Sequence, residues 1–174
     1  MSSAPACASG RMIVHKRILG GLAVLGFVLS LAVHVSTFAG HSPLDRVPAL
    51  WLLHIGTFVV AGPAILLVAG AARQKRLRAF VAPYPKAVIA AVIAVHVCAS
   101  VAGLTAFRSL EGVAEERPSG YALVNRGELI REISRDEFLR ARALDSRAFS
   151  AVWLSFYGVS ALFWLFRRPQ AEDS

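Results

Sequence analysis

Three histidines are the residues of this chain best placed to do chemistry. His34, His54 and His96 each interrupt an apolar run: "LAVHVS" at 31–36, "ALWLLHIG" at 49–56 and "IAVHVC" at 93–98. A neutral imidazole can ligate haem iron, donate a hydrogen bond to a quinone carbonyl, or exchange protons near neutral pH. An ionisable group inside a membrane is a functional candidate by default. His34 and His96 are therefore candidate axial ligands of a b-type haem, whose iron is the only metal considered. With His54 they are also candidate contacts for a haem or a quinone. A proton relay is the third chemistry. Against all three stands a simpler role, in which the rings hydrogen-bond between helices as Ser and Thr do.

The neighbours of these histidines recur at helical spacing. Ser30, His34, Thr37 and His41 follow i, i+4, i+7, i+11, which puts them on one face of a helix. His96 is followed by Ser100, and His54 by Thr57 and Ala61. Trp153, Tyr157, Ser160 and Trp164 repeat the first spacing, mostly with aromatics. Such stripes should face inward, because polar groups are costly against lipid. Ala90, Ala94, Cys98 and Ala102 form a small-residue ridge roughly opposite His96, which suits a second helix neighbour.

The elements that position these residues follow from hydropathy. Of 174 residues, 56% are hydrophobic, and mean hydropathy is +0.56. That is too apolar for an ordinary soluble domain. A helix crossing a bilayer needs roughly 20 apolar residues. Four stretches meet or approach this, at about 18–39, 49–72, 87–107 and 149–166, and none contains Asp, Glu, Lys or Arg. They predict an all-α membrane protein, a bundle of four transmembrane helices. Arg11, Lys16 and Arg17 before the first run resemble a signal-peptide head, but the run is longer than a usual signal core, so an uncleaved span is expected. Cys7 and Cys98 fall in different environments, which argues against a disulfide, and no Cys/His cluster suggests structural zinc.

Basic residues set orientation. Arg11, Lys16 and Arg17, then Arg73, Lys75, Arg76, Arg78 and Lys86, then Arg167 and Arg168 share one side of a four-span chain. With Glu172 and Asp173 they account for the whole formal charge of +8, since the other side is balanced. Both termini are expected in the cytoplasm of a bacterium, the spans in its cytoplasmic membrane, and 108–148 outside. Positive charge flanking spans reads as topology and lipid contact, so no nucleic-acid partner is expected.

The chain thus divides into a cytoplasmic head (1–17), three spans (18–107), an outer insertion (108–148), and a last span with its tail (149–174). Within the insertion, 108–120 reads as linker. "YALVNRGELIREI" reads as a hairpin, with a three-residue "NRG" turn and Gly127 at a left-handed position. Ser134 and Glu137 have capping-box spacing, which predicts a helix leading to the last span with a bend near Asp145 and Ser146. The insertion holds no histidine, no Ser-His-Asp set and no glycine-rich phosphate loop.

"RGELIREISRDEFLRARALDSRAFSAVWLSFY" resembles segments of uncharacterised small multi-spanning bacterial membrane proteins, over about the last third of the chain. That resemblance implies no activity. The paired "AVHV" stretches, and the likeness of "ALWLLHIG" to "AVWLSFYG" at 151–158, are compatible with a duplicated helical hairpin whose copies share an axis along the membrane normal. On balance the chain reads as a non-enzymatic accessory, assembly or partner-docking protein. Its partners would be the bilayer and another membrane protein, met through the outer cap or the small-residue face of the third span. A haem- or quinone-binding electron carrier is the alternative.

Overall fold

The computed structural model describes residues 6–76 and 84–166, with side chains from His15 onward. It is mostly helical. Helix α1 is Ala6–Phe38, α2 is the single turn Pro43–Arg46, and a 3₁₀ turn at Pro48–Trp51 leads into α3, Leu52–Arg73. Helix α4 is Lys86–Arg108 and α5 is Arg135–Phe166, with strands β1 (Val113–Arg117), β2 (Gly120–Asn125) and β3 (Glu128–Ile133) between them. Helices α1, α3, α4 and α5 carry the four segments long and apolar enough to cross a membrane. The head expected as a separate segment continues as helix from Ala6 onward, the first turns of α1.

Helix ends are closed by backbone geometry. At the end of α1, Gly40 takes φ +76°. Its N–H reaches the Thr37 carbonyl at 3.2 Å, and the His41 N–H reaches Ser36 at 3.3 Å. This is a Schellman motif. It ends the helix before His41, which therefore leaves the Ser30–His34–Thr37 stripe to which its spacing assigned it. The end of α3 repeats the motif with Lys75 at φ +56°, and Arg76 N–H bonding Ala71 at 2.8 Å.

The helices do not surround an open core. Helix α5 is itself the centre, with α1, α3 and α4 packed around it. Fully buried Trp153, Tyr157 at 3% exposure, and Ala161 form the core with Ala23, Val33, Leu53 and Val60. Helix α4 packs substantially on α5 alone, and scarcely meets α3 among the described residues. A duplicated hairpin would make the α1–α5 and α3–α4 contacts equivalent, and they are not. Of the ridge Ala90, Ala94, Cys98 and Ala102, the first three are exposed. The side of α4 that packs on α5 carries Ala99, Gly103 and Ala106 instead.

The insertion departs from the all-α expectation more than the predicted hairpin did. Residues 113–117, read as linker, form a strand, giving a three-stranded antiparallel sheet in the order β1-β2-β3. The "VAEER" stretch has few β-branched residues, and it is held by pairing with β2 rather than by propensity. The β2–β3 turn has two residues, Arg126 at φ +52° and Gly127 at φ +87°. Positive φ at both central positions is a type I′ turn, tighter than the expected three-residue loop. Ala114, Leu123 and Ile133 pack the sheet against Phe138 and Ala141 at the start of α5. The capping box forms as predicted: Ser134 N–H donates to Glu137 Oε2 at 2.9 Å, and Glu137 N–H to Ser134 Oγ at 3.2 Å. The helix is not interrupted at Asp145 and Ser146. No Gly or Pro lies between Arg135 and Tyr157, so α5 runs unbroken for 32 residues from the sheet through the bundle.

Candidate functional site: three histidines around one helix

The three histidines lie on three different helices, and all bond to α5. His34 Nδ1 of α1 meets Ser150 Oγ at 2.9 Å. The Nε1–H of Trp153 donates to His54 Nδ1 of α3 at 3.2 Å. His96 Nδ1 of α4 meets Ser155 Oγ. At about 100° per residue, Ser150 and Ser155 lie roughly 140° apart around α5. His34 and His96 therefore approach α5 from different sides, with the helix between them. Two imidazoles on one iron need their ring nitrogens about 4 Å apart on a common axis, at ~2 Å per bond. The shared axis expected of this pair is not the arrangement present.

Their surroundings differ as well. His34 is buried with Ser30 and Thr37, the part of its stripe that faces α5. His54 is partly buried within an aromatic group of Trp51, Phe58 and Phe149. His96 is exposed at the edge of α4. It stands where two cavities meet. One, of about 620 Å³, lies between α4 and α5 and includes Ser100, Gly103, Phe107, Val152 and Phe156 in its walls. The other, of about 380 Å³, lies between α3, α4 and α5 and is lined by Ala64, Val68, Val159 and similar apolar groups.

The aromatic stripe of α5 faces inward as its spacing predicts and binds α3. Tyr157 Oη donates to the Leu53 carbonyl at 2.9 Å, and Trp164 Nε1–H to the Val60 carbonyl at 2.9 Å. Val60 lies one residue from Val59, whose carbonyl loses its intrahelical donor to Pro63. Backbone glycines make room for the tyrosine. A Cβ at either Gly26 of α1 or Gly56 of α3 would collide with its ring or hydroxyl.

Two arginines near the cap join α5 to the other helices. Arg147 Nη2 donates to the Thr37 carbonyl at 2.9 Å and Nε to Thr37 Oγ1 at 3.1 Å, while its guanidinium lies 4.0 Å from the Phe38 ring centroid. It gives the Thr37 carbonyl, already bonded by the Gly40 N–H, a second donor and complements that end of the helix dipole. Arg142 pairs with Asp45 in the connection between α1 and α3. Burial of Asp45 favours its neutral form, but hydrogen bonds from Arg142 and Ser42 outweigh this and hold its pKa below the ordinary value. Ser42 Oγ in turn meets Ser146 Oγ at 2.8 Å.

Sequence reasoning found the three histidines and the aromatic stripe. It missed Ser150 and Ser155, because their i, i+5 spacing marks no common face of a helix. It also placed Arg142 and Arg147 in a cap ending before the last span, whereas they sit within the single helix that forms it. Among the described residues no group of three or more His, Cys, Asp and Glu is close enough to hold a metal ion. Comparison with protein-family models, with curated proteins and with solved structures finds no match. Fold and site together describe a multi-pass, mainly helical membrane protein carrying a small sheet.

Proposed function

We propose that this is a non-enzymatic accessory protein of the bacterial cytoplasmic membrane, which docks a partner through an extracytoplasmic cap. The observation that carries this reading is the continuity of α5. One helix packs against the sheet at its first turns and forms the centre of the bundle at its last. A load on the sheet is therefore transmitted to the spans without a hinge. The clamps at Arg142–Asp45 and Arg147–Thr37 brace the level where a hinge would otherwise lie.

The sheet offers a docking surface. Val113, Val124 and Leu129 stand in one cross-strand row, and the outer two are about half exposed, as is the neighbouring Ile130. The edge strands around this row carry Glu115, Glu116, Arg117, Glu128, Arg131 and Glu132. Charged edges resist indiscriminate strand pairing. An apolar row in a charged rim matches the anatomy of a specific protein interface. Orientation rests on the one-sided charge of +8.

Photo-reactive residues at Leu129 or Ile130 in growing cells test the reading. A discrete protein adduct at these positions is expected, with none at Val97 on the outward face of α4. A reporter fused at Asn125 should report outside, and one fused between Arg76 and Tyr84 should report cytoplasm. Cap positions that give no adduct, or fusions that report the same side, would overturn it.

A further inference from the structure

The geometry points to a second site, away from the cap: the groove between α4 and α5 binds an uncharged para-dione amphiphile of the isoprenoid-quinone class. Its two ring carbonyls would accept hydrogen bonds from His96 and Ser100.

The hydrogen-bond network assigns the tautomers. Ser150 spends its hydroxyl proton on the Arg147 carbonyl at 3.1 Å, so it accepts from His34, whose Nδ1 carries the proton. His96 Nδ1 is the hydrogen-bond partner of the Ser155 hydroxyl among the described residues, and a ring that accepts there carries its proton on Nε2. That Nε2–H has no acceptor among the described residues. Ser100 supplies the second donor. Hydroxyls at Ser30, Thr37, Thr57 and Thr105 turn back onto carbonyls of their own helices. Ser100 does not, and makes no hydrogen bond among the described residues, though it lines the same groove as His96. An unmatched donor in an apolar medium is costly, and two on adjacent turns of one helix call for a ligand with two acceptors.

Spacing and environment select the ligand class. His96 and Ser100 stand one turn apart on the same face of this helix, so a single ring lying along the groove can present one acceptor to each. His96 lies near the middle of α4, ten residues from Lys86 and twelve from Arg108. No charged headgroup reaches that depth cheaply, and the ester carbonyls of phospholipids lie nearer the interface. A net charge at that depth would itself be costly, so the ring should be uncharged. The groove of about 620 Å³ is of a size that holds small organic ligands, and Phe107, Phe149 and Phe156 give it flat apolar walls. The second cavity continues from His96 between α3 and α5 and is almost wholly apolar, which suits an isoprenoid tail.

The test uses the full-length protein in lipid nanodiscs, titrated with a para-benzoquinone bearing a medium-length alkyl tail. Quenching of tryptophan fluorescence reports binding, because Trp153 lies two residues from Ser155. Saturable quenching is expected, with an alkylbenzene of the same tail competing poorly. Ser100→Ala should weaken binding several-fold without disturbing the fold, since that hydroxyl has no hydrogen-bond partner among the described residues. Adding His96→Ala should bring the loss to about tenfold or more, as expected for hydrogen bonds lost from an apolar site. Quenching that rises linearly as by partition, equal binding of the alkylbenzene, or an unchanged Ser100→Ala variant would each overturn the proposal. None of these results bears on the crosslinks at Leu129 and Ile130, so the site and the docking reading fail separately.

Discussion

Arg147 of α5 closes the C-terminal end of α1 through Thr37, bonding both its carbonyl and its hydroxyl while stacking on Phe38. The guanidinium is half-buried, so water replaces these bonds poorly. Arg147→Ala should cost about 1.5–3 kcal/mol, the range for hydrogen bonds to a charged group. Arg147→Lys should recover only part of this, because an ammonium lacks the planar fork that serves two acceptors. Thermal unfolding of the three proteins in one detergent gives the order. Hydrogen exchange should localise the loss to Thr37–His41. Equal stability of the wild type and the Ala variant would remove Arg147 from the helix cap.

Tyr157 occupies space that two glycines leave open, and its fit predicts an asymmetry between substitutions. Gly26→Ala and Gly56→Ala each place a methyl where the tyrosine ring or hydroxyl lies. Overpacking of this kind costs about 1–3 kcal/mol. Gly21→Ala, with open space at its Cβ, should be neutral or slightly stabilising, since Ala favours helix over Gly. Tyr157→Phe should lose about 1 kcal/mol with the bond to the Leu53 carbonyl. In Gly26→Ala, the further change Tyr157→Leu should relieve part of the damage. Additive losses in that pair would show that the two residues do not share the space.

Asp45 sets an acid limit on the joint between α2 and α5. Its folded pKa lies below the ordinary carboxylate value, because the Arg142 and Ser42 hydrogen bonds outweigh burial. The unfolded chain therefore takes up this proton at higher pH than the folded chain. The stabilisation is complete above the ordinary value of 3.8 and is lost as pH falls through the folded value. Asp45→Asn should be less stable than wild type at neutral pH, and the two should converge in acid. A constant gap between their melting temperatures from neutral pH down to the acid limit would refute this linkage.

The legible features were those carried by local pattern. Four hydrophobic runs announced four helices, and the stripe from Trp153 to Trp164 announced its buried face. Ser134 and Glu137 announced a cap by their spacing. What escaped reading depends on partners distant in the chain. Val113–Arg117 becomes a strand only because β2 pairs with it, and its own residues favour no strand. His34 and His96 share the letters "AVHV", yet their environments are set by Ser150 and Ser155, more than fifty residues from either. The repeated letters suggested a symmetric pair. The structure instead places one ring deep between α1 and α5 and leaves the other at the edge of a groove, because α5 and not a symmetry axis fills the centre. The expected bend near Asp145 and Ser146 relied on the polarity of two residues, but polarity alone does not interrupt a helix whose backbone bonds are continuous and that has no Gly or Pro at that level.

The turn at Arg126 and Gly127 provides a test confined to the cap. Both residues have positive φ, which a type I′ turn requires. Gly127 adopts this at little cost, whereas a β-branched residue there is strained by about 1–2 kcal/mol. A Cβ at Gly127 would meet nothing, so any loss in Gly127→Val comes from backbone strain and not from a clash. Arg126→Asn should act in the opposite sense, because asparagine tolerates the left-handed region better than arginine. Limited proteolysis of the intact protein in nanodiscs should show faster cleavage within 113–133 for Gly127→Val and slower cleavage for Arg126→Asn. The four spans should stay protected in both. If Gly127→Val left cleavage of the sheet unchanged, the two-residue turn would not be holding β2 and β3 in register. If it exposed the spans as well, the sheet and the bundle would unfold as one unit through α5.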